Sequence, residues 1–252
     1  MTKYPNGLIA LNSHINNQQI IPEISISEMT QFIEAGHTVI LKNVFDVQRL
    51  LTLRQAVCDW AEKIPEHPIT KTASVPDLNY HRRDNVSDPK YMTRLFHQYG
   101  FSNLDNLEAS LQKQLKDTVE PLLNLQNQLA QTNFDLSMPN CRFKLYNHNS
   151  GGGFFDKHTH PYIPQKVAFF LSFSRFEQDF KQGHVMFDTP FGSLAINDLF
   201  EIGNVIYFKY DLPHGVATVD SSEPLDWASD KGLWVLSAEL ITNYEQSKKV
   251  AV

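Results

Sequence analysis

The sequence reads FDKHTHP at residues 155–161 and LPHGV at residues 212–216, and these two segments decide how the rest of the chain is interpreted. His158 and His160 are two residues apart, so on an extended strand their side chains point to the same face and can bind one metal ion together. His214 follows an apolar strand far downstream. A third ligand from a distant strand would complete one facet of an octahedron and leave the opposite positions open. The spacing therefore predicts a metal site formed by these three histidines.

The residues around the histidines resemble a known family, the non-haem iron(II) and 2-oxoglutarate-dependent oxygenases, including the branch typified by phytanoyl-CoA hydroxylase. That family usually has His-x-Asp/Glu, then fifty or more residues, then a second His in an F…HGV setting. Residues 201–216, EIGNVIYFKYDLPHGV, look like the distal segment, and 214 minus 160 gives a separation of 54. The segments FLS at 170–172 and GHVMF at 183–187 stand where the family commonly has two core strands.

The resemblance covers about residues 140 to 240 and implies a double-stranded β-helix, or jelly roll. It also implies Fe(II) and 2-oxoglutarate as cofactors, and hydroxylation or related C–H oxidation of a small molecule as the reaction. We therefore expect one α+β domain over residues 1–252, with 1–139 as helical and lid support and 140–243 as the jelly-roll core. On this interpretation no catalytic residue is required beyond the metal ligands.

Two positions depart from the family's pattern. His160 stands where the family has a carboxylate, so three neutral imidazoles would bind the metal with one negative charge fewer. Residues 235–237 read VLS, where the family has an arginine that clamps the far carboxylate of 2-oxoglutarate. As in some relatives, Lys166 would supply the missing cation, unless it faces solvent, and Tyr146 and Ser237 are further cofactor-binding candidates. Four other cations are weaker candidates: Arg142, Lys144, Arg175 and Lys231.

The departures leave two other interpretations open. A three-histidine iron dioxygenase would bind its substrate directly to the metal and would use no 2-oxoglutarate. The other alternative is a jelly-roll binding protein whose site no longer catalyses a reaction. Iron-dependent consumption of 2-oxoglutarate, oxygen uptake without it, or absence of bound transition metal would distinguish the three interpretations.

Composition restricts the partners. The 252 residues include 22 Lys and Arg against 28 Asp and Glu, so the formal net charge of -6 disfavours binding to nucleic acid or to an anionic membrane. No apolar run reaches transmembrane length, and the first residues lack the apolar core of a signal peptide. With two cysteines, Cys58 and Cys141, we expect no disulfide framework and a cytoplasmic location. The oligomeric state is left undetermined.

The first half of the chain shows helical periodicity in three places. We expect a polar surface arm up to Pro22, a helix over 25–35 capped by Ser27, and a buried strand over 38–41. A second helix is predicted over 47–63 and a long one over 104–131, bent or interrupted at Pro121.

Residues 64–103 lack sustained periodicity and contain four prolines, which is typical of a lid or binding loop. Here Arg82 or Arg83 is the candidate for binding an anionic group of a small-molecule substrate. Weaker candidates in the same stretch are Tyr91, Arg94, His97 and Tyr99.

The second half shows strand patterns. Residues 141–146 alternate, GGG at 151–153 predicts a turn, and further strands are predicted over 167–173, 184–187, 192–196, 205–210, 215–219 and 233–241. His148 and His184 are interpreted as structural. This succession of strands after helices favours a jelly roll flanked by helices.

Overall fold

The structure, a computed structural model, describes residues 1–68, 79–138 and 141–240. The predicted core boundaries at 140 and 241–243, and Pro76 of the irregular stretch, lie outside those ranges. The helices are α1 (Ile26–Glu34), α2 (Val47–Ala61) and α3 (Ala109–Ala130), with a short 3₁₀ helix at Leu104–Asn106. The strands are β1 (Thr2–Lys3), β2 (Leu8–Asn16), β3 (Gln19–Pro22), β4 (Thr38–Lys42), β5 (Tyr80–Val86), β6 (Arg94–Phe101), β7 (Cys141–Asn149), β8 (Gly153–His158), β9 (Val167–Ser172), β10 (Val185–Thr189), β11 (Gly192–Ile196), β12 (Val205–Lys209), β13 (His214–Val219) and β14 (Gly232–Leu240).

The strands β7 to β14 form two facing layers. One layer has the order β12-β9-β14-β7 and the other has the order β8-β13-β10-β11. Apart from the β10–β11 hairpin, consecutive strands alternate between the layers, which is the winding of a double-stranded β-helix. The predicted α+β class with a jelly-roll core is confirmed.

The larger layer is apolar on both faces because it is covered on both sides. In β12, Ile206 and Phe208 pack between the two layers, whereas Val205 and Tyr207 pack against the helices. The Tyr207 hydroxyl donates a hydrogen bond of 3.1 Å to the Leu122 carbonyl of α3. A strand buried on both faces reads as a continuous apolar run, as VIYF at residues 205–208 does.

The helices agree with the predicted positions. Ser25, rather than the predicted Ser27, caps α1, because its Oγ accepts from the Glu28 amide at 3.2 Å. Asp46 caps α2 by accepting from the Arg49 amide at 2.8 Å. The helix α3 continues through the buried Pro121, so the predicted interruption is wrong.

Two predictions for the first half are also wrong. The polar arm is instead β1 to β3, and β2 pairs in parallel with β4 so that residues 8–11 are fully buried. The irregular stretch contains β5 and β6, which extend the large layer beyond β7. The described residues of the first half therefore contribute strands to the sheet as well as helices. The second error arose because β5 and β6 carry polar residues on a buried face, which hides the alternation that predicts strands.

Candidate metal centre

The fold brings the three predicted histidines together. His158 ends β8 and is the register partner of His214, which opens β13, while His160 lies two residues beyond β8. One ring nitrogen of each histidine lies within 4.8 Å of those of the other two. The ring centroids are 4.5 Å apart for 158–214, 4.9 Å for 158–160 and 5.3 Å for 160–214.

Backbone carbonyls fix the orientation of two of these rings. Nδ1 of His158 lies 2.8 Å from the Asp156 carbonyl, and Nδ1 of His214 lies 2.8 Å from the Leu212 carbonyl. A carbonyl can only accept, so Nδ1 carries the proton in both residues and the lone pair is on Nε2. Metal-binding histidines commonly donate their second N–H in this way.

The third ring is held by stacking. The ring of His160 lies parallel to that of Tyr210, with centroids 4.5 Å apart and an angle of 1° between the planes. Burial, with the charge of neighbouring His158, lowers the pKa of His160 to about 4, and the same two causes lower that of His214 to about 3. Both imidazoles are therefore neutral at pH 7, which is the form that binds a metal ion. The donor set fits a divalent transition-metal ion such as Fe(II).

The triad opens into a cavity of about 250 Å³ between the two layers. Its aromatic wall contains Phe96, Tyr146 and Phe155, whose ring centroids lie 5.0 to 6.4 Å apart. The remaining apolar lining comes from Met92, Ala168, Phe170, Phe208, Val216, Val235 and Ala238. The polar lining comes from Arg82, Tyr91, Arg94, Gln98, Lys144, His148, Tyr210, Ser237 and Glu239.

An ion pair between Lys144 and Glu239 lies in the wall of this cavity. The Lys144 side chain is only 7% exposed and that of Glu239 is 31% exposed. Burial alone would raise the pKa of Glu239, but the adjacent Lys144 ammonium outweighs burial and lowers it. Both groups are therefore charged at pH 7, and the carboxylate is the more open of the two.

The predicted cofactor-binding residues fall in two places. Tyr146 and Ser237 line the cavity. Lys166 does not, because its backbone is left-handed with φ 55° and its Nζ donates to the Ala130 carbonyl at 3.1 Å. Lys144, a weaker candidate from the sequence, lines the cavity instead. Arg175 and Lys231 contact Asp179 and the Gln178 carbonyl outside it, and Arg142 is buried opposite Glu239 in the β7–β14 ladder.

The two predicted substrate-binding arginines point to opposite sides of β5. Arg82 is buried and lines the cavity. Arg83 is exposed and lies 3.8 Å from Glu66, so the structure does not place it with the site. Arg94 of β6 lines the cavity beside Arg82, and the two share Asp84.

Sequence reasoning missed Glu239 and Asp84. A signal was present for Glu239, because it stands two residues after Ser237 on a strand and therefore shares its face. His148 lines the cavity, whereas His184 does not.

Comparisons with known proteins agree with this architecture. No family model and no curated protein matches the sequence. The fold is similar to that of a Pseudomonas putida prolyl-4-hydroxylase, with TM-score 0.55 and 10% identity over 86% of this chain and 98% of that one. The fold is also similar to that of the non-heme alpha-ketoglutarate-dependent epimerase SnoN of nogalamycin biosynthesis, with TM-score 0.56 and 8% identity over 85% of this chain and 80% of that one. A third similar structure is the Arabidopsis thaliana dioxygenase for auxin oxidation 1 bound to 2-oxoglutarate, with TM-score 0.52 and 10% identity over 92% of each chain.

At these identities the likeness establishes a shared fold alone, the double-stranded β-helix. Within residues 1–68, 79–138 and 141–240, no helix is both long enough and apolar enough to cross a bilayer.

Proposed function

We propose that this protein is an Fe(II)-dependent oxygenase that oxidises a C–H bond of a small molecule. The observation that carries the proposal is the convergence of three neutral imidazoles on one point at a cavity wall. Structural histidines rarely present three acceptor nitrogens to one another without a shared ligand, because each buried nitrogen would lack a partner.

His158, His160 and His214 would hold the metal, which when bound activates dioxygen for oxidation of the substrate. The protein supplies the orientation of the ligands and a site from which water is excluded. The carbonyls of Asp156 and Leu212 fix two ring planes, and Tyr210 fixes the third. Apolar side chains next to the triad, Phe155, Phe170 and Phe208, exclude bulk solvent.

We also propose 2-oxoglutarate as the co-substrate, with Lys144 binding its far carboxylate and with Tyr146 and Ser237 beside it. Three neutral ligands would leave the charge of the metal uncompensated, so a dianionic chelator suits this triad better than a neutral one. Lys144 and Ser237 are register partners on β7 and β14, so both reach the same part of the cavity. Two proteins with similar folds are described as dependent on, or bound to, this co-substrate.

One observation favours a second candidate, a three-histidine dioxygenase without 2-oxoglutarate. Lys144 is already paired with Glu239, and Val235 stands where an arginine would bind the co-substrate. An anionic substrate would then bind the metal directly.

Anaerobic titration separates these proposals. The purified protein is titrated with Fe(II) and then with 2-oxoglutarate, and a visible charge-transfer band is followed. We expect one Fe(II) per chain, loss of binding in His158→Ala and His214→Ala, and retention in the matched control His184→Ala. If the native protein and both variants bind iron equally, the oxygenase proposal is wrong.

A second comparison tests the lysine. We expect Lys144→Met to lose the 2-oxoglutarate band and Lys166→Met to keep it. Substrate-dependent oxygen uptake by a protein that binds iron but neither binds nor consumes 2-oxoglutarate would support the second candidate.

A further inference from the structure

The wall of the cavity formed by β5 and β6 carries an unbalanced pair of arginines. Nε of Arg94 lies 2.5 Å from Oδ2 of Asp84. Nε of Arg82 lies 2.8 Å from Oδ1 at an angle too poor for a hydrogen bond, and its Nη2 donates to Oδ2 at 3.2 Å. Two guanidinium groups thus share one carboxylate that is fully buried, so this cluster carries a net charge of +1.

The cluster also retains unused hydrogen-bond donors. Nη1 of Arg94 donates to the Met92 carbonyl at 2.9 Å, and its Nη2 donates to no described residue. The Arg94 side chain is 11% exposed, and it lines the cavity. Nη1 of Arg82 is buried and likewise has no acceptor among the described residues. A buried cation with spare donors is costly unless an anion completes the arrangement.

This cluster is separate from the lysine that we assign to the co-substrate. Arg82 pairs in register with Gln98, and Gln98 pairs with Tyr146, so β5 and β7 are two strand spacings apart. That separation is about 10 Å, and the ring of Tyr146 stands on β7 in register with Gln98, one position along that face from Lys144. One molecule at the triad could extend along this aromatic wall and place its far end at Arg94.

We propose that the substrate is an apolar monocarboxylic acid, whose carboxylate binds Arg94 with Arg82 behind it and whose apolar body lies along the aromatic wall. This inference rests on the proposed function, because the bound acid is a substrate only if the protein is an oxygenase. A monoanion balances the surplus charge of +1, and a guanidinium edge matches a carboxylate. Phe155 is the register partner of Arg94, and its ring centroid lies 4.3 Å from that of His158, so an aromatic side chain lies between this cluster and the triad and suits a hydrocarbon or aromatic body.

Binding can be measured without turnover. The full-length protein, loaded anaerobically with Fe(II), is titrated calorimetrically with phenylacetate, 4-phenylbutyrate and octanoate, and with the neutral amide of each. We expect at least one acid to bind ten-fold or more tightly than its amide. Equal affinity of acid and amide throughout, or no binding of any acid, would overturn the proposal.

Charge variants locate the carboxylate. Arg94→Gln and Arg82→Gln each leave Asp84 with one arginine, so the remaining ion pair is balanced and each variant is expected to fold, which thermal melting checks. We expect either change to remove the preference for the acid while affinity for the amide stays the same. The matched control Arg83→Gln removes the same charge from the exposed side of β5 and should change nothing. A preference that survives both cavity variants would overturn the proposal.

Failure of this inference and failure of the iron proposal give different results. The titrations are repeated with His158→Ala. If the acid preference persists there and disappears in Arg94→Gln, the carboxylate subsite is supported whether or not iron binds. If the preference disappears in His158→Ala, or in Lys144→Met instead of Arg94→Gln, the carboxylate binds elsewhere in the cavity and the inference is wrong.

Discussion

Lys144 illustrates how a single partner decides what a cavity residue can bind. Its ammonium is paired with Glu239 on the neighbouring strand, so an incoming carboxylate must compete with that pair. In Glu239→Gln the ammonium would lose its anionic partner, and binding of an external anion would become more favourable. We expect this change to tighten 2-oxoglutarate binding about ten-fold, equivalent to about 1.4 kcal/mol.

Anaerobic absorption titration of the Fe(II)-loaded protein measures this effect. The matched variant Lys144→Met should abolish binding, and the double variant should resemble Lys144→Met. Weaker 2-oxoglutarate binding in Glu239→Gln would show instead that Glu239 itself contributes to the co-substrate site.

His97 gives a pH dependence outside the cavity. Its Nε2 lies 3.1 Å from Nδ1 of His81, and its Nδ1 lies 3.0 Å from the Tyr99 hydroxyl. Burial, together with the charges of His81 and Arg83, lowers the pKa of His97 to about 3. The unfolded chain has a histidine pKa of about 6.5, so between these values the unfolded state binds the extra proton. Stability is therefore complete above about pH 6.5 and is lost as pH falls toward 3.

Because the unfolded chain binds this proton and the folded chain does not, the free energy of unfolding falls by about 2 kcal/mol between pH 7 and pH 5. We expect the fall in the free energy of unfolding from pH 7 to pH 5 to be smaller by about 2 kcal/mol in His97→Gln than in the native protein. Urea unfolding of the metal-free protein at both pH values provides the measurement, and the exposed His14→Gln serves as control. An unchanged pH difference in His97→Gln would contradict the assignment.

At the scale of elements, the pairing of β8 with β13 sets the distance between two of the three candidate ligands. A Cβ on Gly215, next to His214, would lie 2.7 Å from the Phe155 carbonyl oxygen and 3.0 Å from Cε of Met186. The first contact is with backbone, so β8 must move away from β13. We expect Gly215→Ala to weaken Fe(II) binding at least ten-fold, because His158 and His214 would separate.

Equilibrium metal binding tests this expectation. Thr218→Ala, at an exposed position on the same strand, should bind Fe(II) like the native protein. Native affinity in a folded Gly215→Ala protein would show that the triad tolerates a change in strand separation.

The individual strands also show how much of the fold and of the candidate site could be predicted from the sequence. Strands β9 to β13 were found because their residues are apolar, and the His-x-His spacing with a distant third histidine located the triad. Strand β5, YHRRDNV, could not be recognised, because its buried face carries charges whose partners come from β6. Lys166 does not line the cavity, and its left-handed backbone before β9 has no signal in the sequence for a lysine.

At the scale of the whole molecule, the first residues belong to the same sheet as the candidate metal centre. Ile9 of β2 is fully buried beside β4, which in turn pairs with β12. We expect Ile9→Ala to lower the free energy of unfolding by about 2 to 5 kcal/mol, the usual cost of a cavity at such a site. Urea unfolding measures it, and the exposed Ile21→Ala is the control. A cost below about 1 kcal/mol would mean that β2 is peripheral.

Metal binding should stabilise the whole folded chain, in the same unfolding transition that Ile9→Ala destabilises. The triad joins the end of β8, the loop after it and the start of β13, so an ion held by all three histidines binds the folded chain and not the unfolded one. At a free Fe(II) concentration one hundred times the Kd, this linkage adds about 2.7 kcal/mol to the free energy of unfolding. For a chain of 252 residues, the corresponding rise in Tm is about 5 to 10 °C. Anaerobic scanning calorimetry should show this rise in the native protein and in Ile9→Ala, where the starting Tm is lower, but not in His214→Ala. A rise of equal size in His214→Ala would place the metal at a different site, whereas a rise confined to a separate transition would show that the metal centre unfolds independently of β2.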